Sequence, residues 1–170
     1  SLGALSSSNA NTRTLTLGAS TVNLTGTGAI WDMTTNTNLT VTANTSTINI
    51  TNAVAFPKTF NGGGKVFNNI NFSGANTLTI TAADTIATGI VTLTGHASIG
   101  TLITNGNFSW GQFFSSNTNN RVLTLGASTI TLTGTGAVWD MTTATNLTVT
   151  ASGSTINITN AAASAKTFHG

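Results

Sequence analysis

Short bursts of alternating apolar and polar residues run the length of the chain. Leu15 and Leu17 are followed by Val22 and Leu24, Trp31 and Met33, Leu39 and Val41, then Ile48 and Ile50. Ile70 with Phe72, Leu78 with Ile80, Val91 with Leu93, and Ile99 carry the pattern through the middle. Leu123 with Leu125, Ile130 with Leu132, Leu147 with Val149, and Ile156 with Ile158 complete it. Alternate side chains of a strand point to opposite faces, so each burst predicts a half-buried strand of about three to six residues. Turn-forming residues separate the bursts, among them Gly18, Gly26, Gly28, Asn52, Gly62 to Gly64, Gly74, Gly95, Gly126, Gly134 and Gly136. No stretch has a helical period, so the expected class is all-β.

The pattern repeats. RTLTLGASTVNLTGTGAIWDMTT begins at Arg13 and returns almost unchanged from Arg121, and the difference of 108 also separates Trp31 from Trp139. Aligned without a gap, Ser1 to Gly62 matches Ser109 to Gly170 at 45 of 62 positions. Self-similarity at fixed spacing is the mark of an array. The leading residues Leu15, Leu39, Ile70, Val91, Leu123 and Leu147 are spaced by 24, 31, 21, 32 and 24, and four steps make one repeat, a mean of 27. Such spacing suits one rung of a parallel β-solenoid, in which each rung buries its apolar side chains on the rungs above and below. The expectation is therefore about six rungs, roughly 30 Å of rod at about 4.8 Å per rung. Residues 1–108 would form a first unit of about four rungs and residues 109–170 a second, truncated unit of about two, in one continuous solenoid. In this register Leu39 lies beside Leu15. The rival is a tandem of immunoglobulin-like sandwiches, since the repeat is close to the length of one such domain. It leaves the shorter spacing unexplained, and the second copy would supply only half a sandwich.

Composition narrows the function. Charged residues make up 5% of the chain, against roughly 25% in an ordinary soluble domain. The cations Arg13, Lys58, Lys65, Arg121 and Lys166 are scattered, and nucleic-acid binding needs them clustered. The chain has no Cys, which excludes a disulfide framework. No apolar run approaches a membrane span, and no signal peptide or initiating Met opens the sequence, which reads as a fragment of something longer. Asp32, Asp84 and Asp140 are the only carboxylates, and two of them are copies of one position. Polysaccharide-cleaving solenoids work with clustered carboxylates, so the expectation is no enzyme. His96 and His169 stand apart, and no metal or cofactor is expected. Asn61-Gly62-Gly63-Gly64-Lys65 lacks the spacing of a phosphate loop and reads as a tight turn with positive φ. The sequons at Asn38, Asn49, Asn146 and Asn157 arise by chance in so Asn- and Thr-rich a chain.

Binding surfaces remain as candidates. Outward positions carry Thr14, Thr16, Thr40, Thr42, Asn71, Ser73, Thr92, Thr94, Thr124, Thr148 and Thr150 on one expected face. A second expected face carries Thr21, Asn23, Thr25, Thr47, Asn49, Thr51, Thr77, Thr79, Thr81, Thr129, Thr131, Thr133, Thr155, Asn157 and Thr159. Flat Thr-x-Thr arrays resemble the ice-binding face of insect-type antifreeze solenoids, although β-branched Thr also suits any strand. Trp31-Asp32-Met33 and its copy at Trp139 read either as a sugar-stacking platform or as a corner with Trp and Met inside. The segment NFSWGQFF, Asn107 to Phe114, differs most from its counterpart. Trp110, Phe113 and Phe114, with Thr129, Thr131 and Thr133, are the candidate surface contacts, against core packing at a rung junction.

The strings RTLTLGASTVNLTGTGAIWDMTT and KTFNGGGKVFNNINFSGANTLTIT, with their second copies, resemble repeat-rich β-solenoid proteins of phage tail fibres, virion structural proteins and bacterial surface adhesins. The resemblance implies an extracellular, cell-surface or virion setting and a role in reaching, coating or attaching. It implies self-association into a fibre or longer solenoid as a structural spacer. A cell-surface glycan is the alternative partner. No catalytic or binding residue carries over.

Overall fold

A computed structural model describes residues 1–81 and 85–170. Among them every regular element is a strand; nineteen are numbered β1 to β19 along the chain. Every ladder between these strands is parallel. The chain is a β-solenoid, and the antiparallel hairpins that a sandwich requires do not occur between the described strands.

The chain visits three faces in fixed rotation. On the first face lie β1 (Leu5–Ser6), β4 (Gly28–Asp32), β7 (Lys58–Asn61), β10 (Asn76–Ile80), β12 (Gly100–Thr104), β14 (Arg121–Thr124) and β17 (Leu147–Thr150). The second face begins with β2 (Arg13–Thr16) and β5 (Leu39–Thr42), which abut β8 (Val66–Phe67). It continues through the first halves of β11 (Thr85–Leu93) and β13 (Asn107–Phe114) to β15 (Thr129–Leu132) and β18 (Thr155–Ile158). The third face holds β3 (Thr21–Leu24), β6 (Thr47–Ile50), β9 (Asn69–Phe72), the second halves of β11 and β13, β16 (Gly136–Asp140) and β19 (Lys166–His169). Each face returns to the same column after one turn, and six turns separate β1 from β17.

Turns differ in length. Lys58 pairs with Leu78 on the next turn, a short step, whereas Gly28 pairs with Lys58, a long one. The register differs from the expected one. Leu15 pairs with Val41, and Leu39 pairs with Arg13. Leu123 likewise pairs with Val149 and Arg121 with Leu147. The expected step from Ile70 to Val91 does occur. Ile99 is no inward strand residue: it sits in a turn with φ of 66°, half exposed, and the strand starts at Gly100.

The repeat does not close on whole turns. Arg13 lies on the second face, which the chain revisits at β5, β8, β11 and β13 before crossing the third face to reach Arg121 on the first. One repeat therefore spans four turns and two further faces, and every strand of the second copy sits one face back from its original. Thr21 is on the third face and its copy Thr129 on the second; Gly28 is on the first and its copy Gly136 on the third.

Inward residues form one continuous core down the tube, from Leu17 and Leu24 to Val138 and Trp139. An aromatic column runs through it. Phe108, Trp110, Phe113, Trp139 and Phe168 follow one another at centroid distances of 5.8, 5.7, 4.4 and 5.5 Å. Corners are closed by Asn side chains that donate to carbonyls one turn away, such as Asn38 to Ala10 at 3.0 Å and Asn120 to Ala97 at 3.0 Å. These bonds satisfy backbone groups that the ladders leave free.

Candidate binding face

The candidate contact residues do not share one environment. Trp110 and Phe113 have no exposed surface, because both occupy inward positions of β13 and belong to the aromatic column. As surface contacts they are excluded; the core-packing alternative holds for them. Phe114 alternates with Phe113, is half-buried and points outward. Thr129, Thr131 and Thr133 are outward on the second face, with Thr129 facing Asn107 and Thr131 facing Ser109 across the ladder.

The two Trp-Asp-Met segments are corners. Trp31 and Trp139 are buried, as are Met33 and Met141, so neither indole is available as a sugar platform. Asp32 Oδ1 accepts from Thr34 N at 2.9 Å and from Thr34 Oγ1 at 2.6 Å, and Asp140 accepts from Thr142 N at 2.8 Å. The Thr34 hydroxyl and amide hold the Asp32 carboxyl below its usual range, and the Thr142 amide and hydroxyl do the same for Asp140, with a smaller contribution from His169. Asp84 lies outside the described residues. Among the described residues no three His, Cys, Asp or Glu side chains gather as a metal site, and no helix is long and apolar enough to cross a membrane.

Three cations that look like scattered charges in the sequence brace the tube. Arg121 is buried at the head of β14, and all five of its N–H groups are engaged. Nε donates to Ser115 Oγ at 2.8 Å, Nη1 to the carbonyls of Asn119 and Thr145 at 2.9 Å each, and Nη2 to those of Ser115 and Thr143. Arg13 repeats this clamp on Ser7, Asn11, Thr35 and Thr37. Lys58, also fully buried, donates to the carbonyls of Val54, Phe56 and Ala75 at 3.4, 3.0 and 2.8 Å. Desolvation lowers the pKa of Lys58 and of Arg121. The clue in the sequence is that Arg and Lys return at the same place in each copy, Arg13 as Arg121 and Lys58 as Lys166. These cations hold corners, and Arg121 has no donor left to offer a ligand. The glycine run turns as expected: Gly63 and Gly64 have φ of 61° and 66°.

The expected Thr faces are regrouped by the one-face displacement of the repeat. Thr14, Thr16, Thr40 and Thr42 lie on the second face, Asn71 and Thr92 on the third, and Thr124, Thr148 and Thr150 on the first. Two outward ranks result on the first face, Thr59–Thr79–Ile103–Thr124–Thr150 and Thr77–Thr101–Val122–Thr148. The third face carries a rank of different chemistry, Asn23–Asn49–Asn71–Thr92–Phe114–Asp140–His169, unbroken over seven turns. Asn49 Nδ2 donates to Asn23 Oδ1 at 3.1 Å, Asn71 Nδ2 to Asn49 Oδ1 at 3.3 Å, and Thr94 Oγ1 to Asn71 Oδ1 at 2.9 Å. Beside this ladder runs an open groove of about 260 Å³ lined by Thr47, Asn49, Asn69, Asn71, Ile90 and Thr92, among others.

Comparison of the chain with family models, with curated proteins and with solved structures finds no match.

Proposed function

We propose that the chain is a structural segment of a surface or virion fibre, a stiff spacer that lengthens by stacking end to end. One observation carries this reading. A turn of this tube buries its inward side chains only under a further turn: Ile50 and Phe60, so covered, are fully buried, whereas Val149, Ile158 and Phe168, with no described turn over them, are 41%, 44% and 47% exposed. Strand edges backed by apolar side chains template further pairing, so turns add to turns along one axis, within a chain or between chains. Head-to-tail contact between unlike ends does not close on itself and gives a filament.

Sedimentation velocity from 1 µM to 1 mM, with electron microscopy of the same samples, tests the reading. The expected result is linear growth with concentration, in particles one tube wide and in steps of roughly 30 Å. Val149→Lys with Ile158→Lys puts charge on the open end and is expected to leave monomers. A monomer at every concentration, or lateral association that the double variant does not alter, contradicts the proposal.

A further inference from the structure

We propose that the groove on the third face binds a neutral polysaccharide, with sugar rings laid along the tube axis over successive turns. This inference is independent of end-to-end stacking. It starts from hydrogen-bond capacity. An Asn side chain offers two N–H donors and an oxygen with two lone pairs. In the ladder, Asn49 and Asn71 each use one N–H toward the preceding turn and accept one bond from the following turn. Each amide thus keeps one donor and one acceptor beyond its ladder bonds, at adjacent points on the groove wall. A donor and an acceptor side by side match vicinal hydroxyls, which both give and receive. The ladder also aligns the amide dipoles, which strengthens each bond in the chain.

The rest of the groove fits the same class. No charged side chain lines it, so a phosphate or uronate polymer finds no counter-charge there. Ile90, 36% exposed, supplies an aliphatic surface for the C–H face of a pyranose ring. One turn beyond Thr92 in the same rank, Phe114 turns outward and extends that surface. The groove is open along the rank, which admits a polymer and does not require a chain end. The two Thr ranks of the first face carry no amide ladder, and so serve as an internal control.

The test is a titration of the ¹⁵N,¹³C-labelled chain with cellohexaose and with maltohexaose, with hexagalacturonate as the anionic comparison. At least one neutral hexaose is expected to give saturable shifts at the side-chain amides of Asn49 and Asn71 and the methyls of Ile90. These shifts are expected to persist in 0.5 M NaCl, because no ion pair drives them. Thr92→Arg, an outward change that fills the groove, is expected to weaken binding at least tenfold, as is Asn71→Leu. Thr101→Arg on the first face is expected to leave binding unchanged, and thermal melts check that each variant is folded. Absence of saturable shifts with both neutral hexaoses at 10 mM overturns the proposal. So do shifts confined to the first face or the ends, or binding by hexagalacturonate alone.

Discussion

Two lysines with one sequence context show how position along the tube decides what a residue does. Lys58 and Lys166 both follow a short loop, and both ammonium groups donate to carbonyls of that loop. Lys58 is covered by the next turn and donates in addition to the buried carbonyl of Ala75. Lys166 belongs to β19, the outermost strand of its face, and stays half-buried. An apolar replacement removes the cost of burying a charge but leaves the Ala75 carbonyl without its donor, and an unpaired buried acceptor costs about 1–3 kcal/mol. Lys58→Met is therefore expected to lower the urea midpoint by the equivalent of about 1–3 kcal/mol. Lys166→Met is expected to change it by no more than about 0.5 kcal/mol. Equal effects at the two sites would contradict the difference in cover.

The elements are set by alternation, and the corners by glycine. Gly111 lies where β13 bends from the second face to the third, and a Cβ there would stand 2.3 Å from Thr88 O and 2.4 Å from Gly89 O. Backbone of the neighbouring turn cannot give way as a flexible side chain can. Its copy Gly3 has open space. Gly111→Ala is expected to cost about 1–3 kcal/mol by overpacking, and Gly3→Ala less than about 0.5 kcal/mol, both read from denaturant midpoints. Where strands occur was legible in the chain. The bursts at Leu15, Ile48, Ile70, Leu123 and Ile156 all fall in strands or at their edges. The strands at Lys58–Asn61 and Gly100–Thr104 were missed because each has a single large apolar inward residue, Phe60 or Leu102, and no apolar pair to betray a period of two. The partner of Leu15 was misplaced, at Leu39 rather than Val41, for a physical reason. A slip of one position exchanges the faces, but a slip of two keeps every apolar residue inside, so hydrophobic pattern alone does not tell Leu39 from Val41. The Asn rank was hidden likewise: the step from Asn23 to Asn49 is longer than the step from Asn49 to Asn71, so no constant spacing reveals it.

At the scale of the whole molecule, the repeat and the turn are incommensurate. A sequence copy that returns one face back places the same residues in new company. Thr16 faces Thr42 on the second face, while its copy Thr124 stands between Ile103 and Thr150 on the first. The sequence concealed this displacement because Thr-rich outward positions occur on all three faces and carry no label of the face they occupy. The consequence is a tube whose surface chemistry winds about its axis from repeat to repeat while the core remains continuous. The same displacement sets the third-face rank, joining Asn23, Asn49 and Asn71 of the first copy to Asp140 and His169 of the second.

Parallel stacking with a one-face displacement is most directly tested by electron–electron resonance between spin labels at Thr59→Cys and Thr150→Cys, in a chain that has no Cys of its own. These positions share a rank on the first face, four turns apart. Such stacking predicts a narrow distance distribution near about 19 Å, four steps of about 4.8 Å, broadened only by the label linkers. A distribution centred beyond about 30 Å, or one without a dominant distance, would contradict it, because four steps of about 4.8 Å cannot hold the labels so far apart.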